Sequence, residues 1–493
     1  MKFKFQHNEL VPNLPYIPQK VTNTAMLTYV AALLACSVAY NNYTLDFRWM
    51  IFGIVEVVGF FYLSNHLSKA WINFRPKTFV RNLFWLGFAL RVAWVVISYL
   101  LYQQWTGTAF TIDAADELFY NDMAKYGASL MRDGNFAIYN PLTKYAGDVA
   151  FSDMGYPIYL SIIYYIFFDS VIMARIIKAI LSAWTAVLIY KLASRSFGEY
   201  VGRMAGIMCM LMPNLIYYCS MQLKEVEMVF LAMLFIERAD ALLRLPKMPW
   251  RSLALLMLIP AFMFMIRTAL AATMVMGLAL ALLLTSGRVV KGWRRVMLIV
   301  VVVLGGLVIV ANESNIITDV RQMWEVRGST QEAHAEWRSK RKDQAGLQQR
   351  FAKYAGASVF APAIFTMPFP TMTETPGQEN QKMIHGGNYV KNIISFFTIV
   401  ALFFMLFSGN WRAHVLPASI LCGYLVVLVF SNFAHSERFH LPILPLHLMI
   451  AAYGISKMNQ LRILKKGYPW WCALMFVAAL AWNWIKLAGR GMI

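Results

Sequence analysis

The stretch Thr111-Ile112-Asp113-Ala114-Ala115-Asp116-Glu117-Leu118-Phe119-Tyr120-Asn121-Asp122 places four carboxylates within ten residues, in a chain that is only 14% charged. Acids this dense repel one another, and burying them beside an apolar segment is costly. A fold that keeps them uses them to bind a cation or to move a proton; a solvated acidic loop is the plain alternative. Isolated cations stand at the edges of later apolar runs: Arg175, Lys224 beside Glu225, Arg267, and Arg438 within Glu437-Arg438-Phe439-His440. Arg and Lys at a water-poor boundary hold phosphate, Arg through two oxygens at once. A carboxylate beside them takes a proton from an attacking hydroxyl, and fixed cations stabilise the charge that builds on a departing phosphate.

The elements that must position these groups are spans. The chain has 493 residues, 59% of them hydrophobic, with mean hydropathy +0.52. Such a composition predicts an all-α polytopic membrane protein, because helices satisfy their own backbone in lipid. The net charge of +20 fits basic cytoplasmic loops and membrane lipid headgroups, and calls for no nucleic acid. Cys36, Cys209, Cys219, Cys422 and Cys472 all lie in apolar stretches with no CxxC pair, so no disulfide framework is readable. The first apolar run follows about twenty polar residues without a cleavage pattern and is expected to be retained. No Walker, zincin, G-x-S-x-G or Rossmann pattern is present. The acids allow a divalent cation as a possible cofactor, but no ligand spacing demands one, so the metal is unknown.

Thirteen spans are expected. The first three lie near 22–40, 48–65 and 82–103, with Lys69, Arg75, Lys77 and Arg81 marking the cytoplasm between the second and third. The acidic loop then falls outside. If 151–168 crossed the membrane, Lys191, Arg195 and Arg203 would lie outside. The stretch is therefore expected to lie flat in the outer interface, where Tyr156, Tyr159, Tyr164 and Tyr165 would suit it. Further spans follow near 171–190, 204–219 and 226–241. The apolar stretch 252–285 is too long for one span and divides into two at Arg267. Others are expected near 296–311, 392–408, 413–431, 441–456 and 468–486. The resulting organisation is a tail with three spans (1–103), an acidic loop with an interfacial helix (104–170), a helical core (171–311), a second extracytoplasmic loop (312–390) and the last spans (391–493). In that second loop, the basic run Arg338-Ser339-Lys340-Arg341-Lys342 reads as a solvated helix face or a contact for lipid phosphates. Glu56 and Arg91, isolated inside spans, are expected to pair with each other. No internal repeat is seen, which weighs against a transporter.

Asp116-Glu117-Leu118-Phe119-Tyr120 resembles the D-E-x-x-Y pattern in the first extracytoplasmic loop of GT-C fold glycosyltransferases. The likeness is closest to the branch of protein O-mannosyltransferases and the lipid A aminoarabinose transferase. It extends over Tyr156-Pro157-Ile158-Tyr159, Phe167-Phe168-Asp169, Arg175, Tyr190-Lys191-Leu192-Ala193, Phe197-Gly198, Pro213, Glu225 and Arg267, and more thinly over Glu437-Arg438-Phe439-His440-Leu441-Pro442. The resemblance implies an inverting glycosyltransferase in the cell (inner) membrane, its active site facing outward. It also implies a polyprenyl-phosphate sugar donor and a lipid, glycan or protein acceptor. By the same likeness Asp116 is the general base, Glu117 orients the acceptor or helps bind a cation, and Asp153, Tyr120 and Glu225 serve the acceptor or supply a second acid. Arg175, Lys224, Arg267 and Arg438 are the candidates for the donor phosphate. Two spans precede the one leading into the acidic loop, where this branch has a single one. Loop 312–390 does not align and is expected to carry acceptor specificity. The alternatives are a polymerase or ligase of polyprenyl-diphosphate-linked oligosaccharides, and a lipid-linked sugar transporter.

Overall fold

The computed structural model describes residues 13–147, 153–244, 250–284, 363–409, 411–430, 436–488 and 492–493, and among them there are helices and no strands. Eight helices are long and apolar enough to cross a membrane, and three shorter apolar ones accompany them. The expected span 296–311 and the run Arg338–Lys342 lie outside the described residues.

Three long helices lead in: α1 (Gln19–Ala39), α2 (Phe47–Ala70) and α3 (Pro76–Thr106). Their ends are written in the sequence. The carboxylate of Asp46 caps α2 by accepting from the Arg48 amide at 2.8 Å. Pro76 opens α3, and Gly107, at φ 69°, closes it in the left-handed region. The acidic stretch then becomes α4 (Ala115–Arg132), followed by the short α5 (Tyr139–Tyr145) and by α6 (Gly155–Phe167). α6 is too short, at 13 residues or about 20 Å, to span comfortably. It begins where the Gly155 amide donates to Met265 O at 2.8 Å. Just past its end, Asp169 pairs with Arg132 of α4 at 2.8 Å, so it packs along α4. Tyr156 and Tyr164 are wholly buried in protein, while Tyr165 is 37% exposed.

The core follows as α7 (Val171–Phe197), α8 (Glu199–Leu211), α9 (Pro213–Tyr217) and α10 (Glu225–Arg244). Next come α11 (Trp250–Phe264) and α12 (Thr268–Leu284), which meet at Met265–Arg267. The rest comprises α13 (Glu379–Met383), α14 (His385–Phe407), α15 (Val415–Phe430), α16 (Glu437–His440), α17 (Leu444–Ser456) and α18 (Arg462–Ala488).

Charge sorts the two ends of this bundle. At one end Arg195 binds Glu237 and Asp240, and Arg203 donates to the carbonyls of Trp71, Ile72 and Phe74. Arg244 reaches the Ala413 carbonyl there, and Leu14 bonds Ser456. The other end holds the turn between α1 and α2, the acidic stretch, the α11–α12 turn and residues 371–383. α3, at 31 residues or about 45 Å, runs between the two.

Glu56 and Arg91 do not pair, against expectation. Arg91 donates to Ser182 Oγ at 2.7 Å and to the carbonyls of Gly87 and Met210, both at 3.0 Å, and Cys209 at 3.3 Å. The last turn of α8 leaves carbonyls open, and Pro213 has no amide to give Cys209, so the buried guanidinium serves as their donor. Glu56 instead accepts the Gly387 amide at 3.1 Å, in the open first turn of α14. Sequence spacing could suggest two opposite charges but not these orphaned helix ends.

α14 and α17 pack closely through Gly454, where an added Cβ would stand 2.4 Å from the Phe397 carbonyl oxygen. That neighbour is backbone and cannot swing away. Gly454→Ala is expected to cost about 1–3 kcal/mol, read as a lower melting temperature of the detergent-purified protein; an unchanged melt would disprove the close contact.

Candidate functional site

The acidic stretch divides by burial. Glu117, 1% exposed, points inward. Its carboxylate accepts from Thr111 Oγ1 at 2.5 Å and from the Gln222 amide at 2.7 Å. Arg175 on α7 stands 3.6 Å from it and donates to the Ala109 carbonyl at 2.7 Å. Arg175 has no exposed surface. This knot ties the loop before α4, the segment before α10 and α7 into one piece.

Asp116, one residue earlier, points the other way. Its side chain is 59% exposed. Oδ2 accepts from Arg438 of α16, and Arg438 also donates through Nε to Glu225 at the start of α10. The guanidinium, 21% exposed, thus joins a rim carboxylate to one that is 2% exposed. The partners Arg438 and Asp116 are 322 residues apart in the chain.

Beside this chain of charges, Lys224 donates to Asp153 and to the Ile266 carbonyl, the latter at 2.9 Å. Burial holds the Lys224 ammonium below the usual lysine range, an effect the Asp153 carboxylate opposes. The ammonium lies 6.0 Å from the centre of the Tyr120 ring. Burial first, and then Asp153 and Glu225, keep the Tyr120 hydroxyl protonated far above the ordinary phenol range. Tyr120 packs edge-on against Tyr156 at 5.0 Å. Arg267 lies 4.4 Å from the Phe439 ring centre, and Arg438 lies 6.0 Å from the same ring on its own account. Among the described residues Arg267 has no carboxylate in ion-pair contact. It stands immediately before the first residue of α12, where the helix dipole adds positive potential.

The rim carboxylate opens on a cavity of about 300 Å³, whose walls include Asp116, Arg438, Tyr218 and Leu223. The opposite wall, residues 377–381, was not singled out from sequence. It is built firmly. Asn483 of α18 accepts from the Met372 amide at 2.8 Å and donates to the Pro370 carbonyl at 3.1 Å. Lys486 donates to Thr371 at 2.6 Å and Gln378 at 2.8 Å, and also to Gln381. Lys382 is held by Glu374 and Glu379, and Glu374 accepts from the Asp46 amide at 3.0 Å. The Pro/Gly-rich sequence looks like irregular loop. The signals that would have found the wall are the polar Asn483 and Lys486 near the end of an apolar helix.

Asp116, Glu225 and Arg438 are therefore in direct contact, and so are Lys224 and Asp153, with Tyr120 and Arg267 as neighbours. Glu117 pairs with the buried Arg175, and it lines the same cavity as Asp116. Among the described residues no three His, Cys, Asp or Glu side chains converge as a metal-ligand set.

Two family models match the chain. Residues 154–313 match the dolichyl-phosphate-mannose-protein mannosyltransferase family, and residues 383–489 match the Alg9-like mannosyltransferase family. Neither a search of the curated proteins nor one of the solved structures returned a significant match. Both matching families are GT-C fold membrane glycosyltransferases. One match covers the core that carries Lys224, Glu225 and Arg267; the other covers the helices that carry Arg438 and the anchor of the far wall. With the helical, multi-span architecture, they make this chain an integral membrane glycosyltransferase of the GT-C fold.

Proposed function

We propose that the protein moves a sugar from a polyprenyl-phosphate donor to an acceptor hydroxyl with inversion at the anomeric carbon, on the extracytoplasmic side of the cell membrane. The observation that carries this reading is the pairing of one exposed carboxylate, Asp116, with Arg438 at a cavity mouth. Asp116 is offered to the cavity, whereas Glu117 is consumed by structure. Arg438 contacts it, Lys224 is paired with Asp153, and Arg267 shares the Phe439 ring with Arg438 and has no carboxylate in contact among the described residues. Such a group attracts an anion that brings its own negative charge. The family name that matches 154–313 speaks of a sugar on dolichyl phosphate, and a lipid phosphate ester suits these cations. The basic residues at the opposite end of the bundle support an outward-facing site by the positive-inside rule. α6, lying against α4, then rests along the outer interface.

The chemistry follows from the geometry. Asp116 Oδ2 is engaged by Arg438, and Oδ1 remains for the acceptor. As the acceptor oxygen bonds to the anomeric carbon, its proton passes to the Asp116 carboxylate. The bond from that carbon to the phosphate oxygen breaks, and the lipid phosphate departs with the electron pair. Arg438 and Arg267, held in place before reaction, meet the charge that grows on it, at no cost of reorganisation. Lys224 steadies Asp153 at the rim.

Three outcomes test the reading. Asp116→Asn should lower transfer by about 10²–10⁴-fold with the melting temperature preserved; near-normal turnover of a labelled polyprenyl-phosphate sugar would remove Asp116 as base. Arg267→Ala should raise the KM for that donor more than the KM for the acceptor, and equal KM values would take it out of the phosphate site. Glu117→Ala should instead cost about 3–5 kcal/mol of stability by stranding buried Arg175, seen as a melting temperature well below that of Asp116→Asn. Equal melts would place Glu117 outside the knot.

A further inference from the structure

The far wall of the cavity is a row of three amides, and Lys486 fixes the orientation of two of them, Gln378 and Gln381. Gln378 and Gln381 both turn their side-chain oxygens toward Lys486, at 2.8 Å for Gln378. A lysine ammonium donates three hydrogen bonds and accepts none. The atoms facing it must therefore be oxygens, and the NH2 groups are the ends left over. Thr371 Oγ1 adds a second donor to the Gln381 oxygen at 3.4 Å. Between them Asn380 uses its oxygen to accept from Tyr217 at 3.2 Å. None of the three NH2 groups has a hydrogen-bond partner among the described residues, and all three residues are partly exposed and line the cavity.

The cavity is thus lined asymmetrically. One wall offers amide donors; the other offers the acceptor oxygens of Asp116 and Glu437 together with the donor Arg438. A ring carrying several hydroxyls meets both walls, because each hydroxyl accepts from an amide while donating to a carboxylate. A peptide strand would present fixed carbonyls and amides in alternation and leave part of a donor-only wall unanswered. The wall also falls between the two family matches, which end at residue 313 and resume at 383. We propose that Gln378, Asn380 and Gln381 form the binding shelf for a saccharide acceptor, so that the hydroxyl glycosylated at Asp116 belongs to a glycan. This rests on the transfer reaction proposed above.

The test uses full-length protein in detergent micelles, without donor, and saturation-transfer NMR. The probes are gluco-, galacto- and manno-tetrasaccharides and a Ser/Thr-rich peptide. The variant is Gln378→Glu/Gln381→Glu, which keeps an oxygen for Lys486 and replaces each outward NH2 with an acceptor. At least one tetrasaccharide should bind the native protein, at least tenfold more weakly to the variant, while the peptide does not bind. The proposal is overturned if no tetrasaccharide binds, if the variant binds as well as the native protein, or if the peptide binds and the variant loses it. A tenfold higher KM of the variant for polyprenyl-phosphate sugar would assign the shelf to the donor's own sugar and overturn it too. Because binding is read without turnover, an active Asp116→Asn protein would sink the base assignment and leave the saccharide result standing.

Discussion

The site depends on a buried carboxylate, Glu117. Glu117 binds the Thr111 hydroxyl and the Gln222 amide and stands beside the Arg175 guanidinium, with almost no exposed surface of its own. A carboxylate there is tolerable only because it is fully engaged, and removing either partner would strand a charge in a medium that cannot solvate it. The knot fixes the first turn of α4. With Glu117 turned inward, the helix geometry sends its predecessor Asp116 to a different face. One acid anchors the other, and the exposed one keeps a defined direction without being buried itself.

A second constraint is charge balance around Phe439. Arg438 has two carboxylates, Lys224 has Asp153, and Arg267 has an aromatic face. Three cations this close repel one another unless anions are interleaved. The three carboxylates equal the three cations in number, but two of them sit on Arg438, and among the described residues none is in contact with Arg267. The charges are thus matched over the group but unevenly placed, with Arg267 turned to an aromatic face where the other two cations have acids.

Much of this was legible in the sequence, for identifiable reasons. Hydropathy and basic clusters marked the spans, and the basic residues expected at one face, Arg195, Arg203 and Arg244 among them, do gather at one end of the bundle. Spacing also drew attention to Asp116, Glu225 and Arg438, which are in contact. What was not legible depends on which way a side chain turns or on partners far away in the chain. Adjacent acids look alike in a string, so nothing marked Glu117 as the inward one. Arg91 and Glu56 looked like partners because only side-chain charge was visible, whereas each serves an unpaired backbone group at a helix end. The amide wall carries no periodicity and no charge pattern. Its order comes from Asn483 and Lys486, more than a hundred residues later.

That last dependence reaches into how the protein is made. Asp116 lies early in the chain, Arg438 and Glu225 are brought to it from later helices, and the facing wall is pinned by α18, more than a hundred residues downstream of it. Contacts so distant in sequence close last, after the intervening chain has been placed. Without Lys486 the amides of Gln378 and Gln381 lose the donor that turns their oxygens away from the cavity. The shape of the cavity is thus set jointly by segments from the first third of the chain and by a helix near residue 480, so a change in α18 reaches the site without touching it.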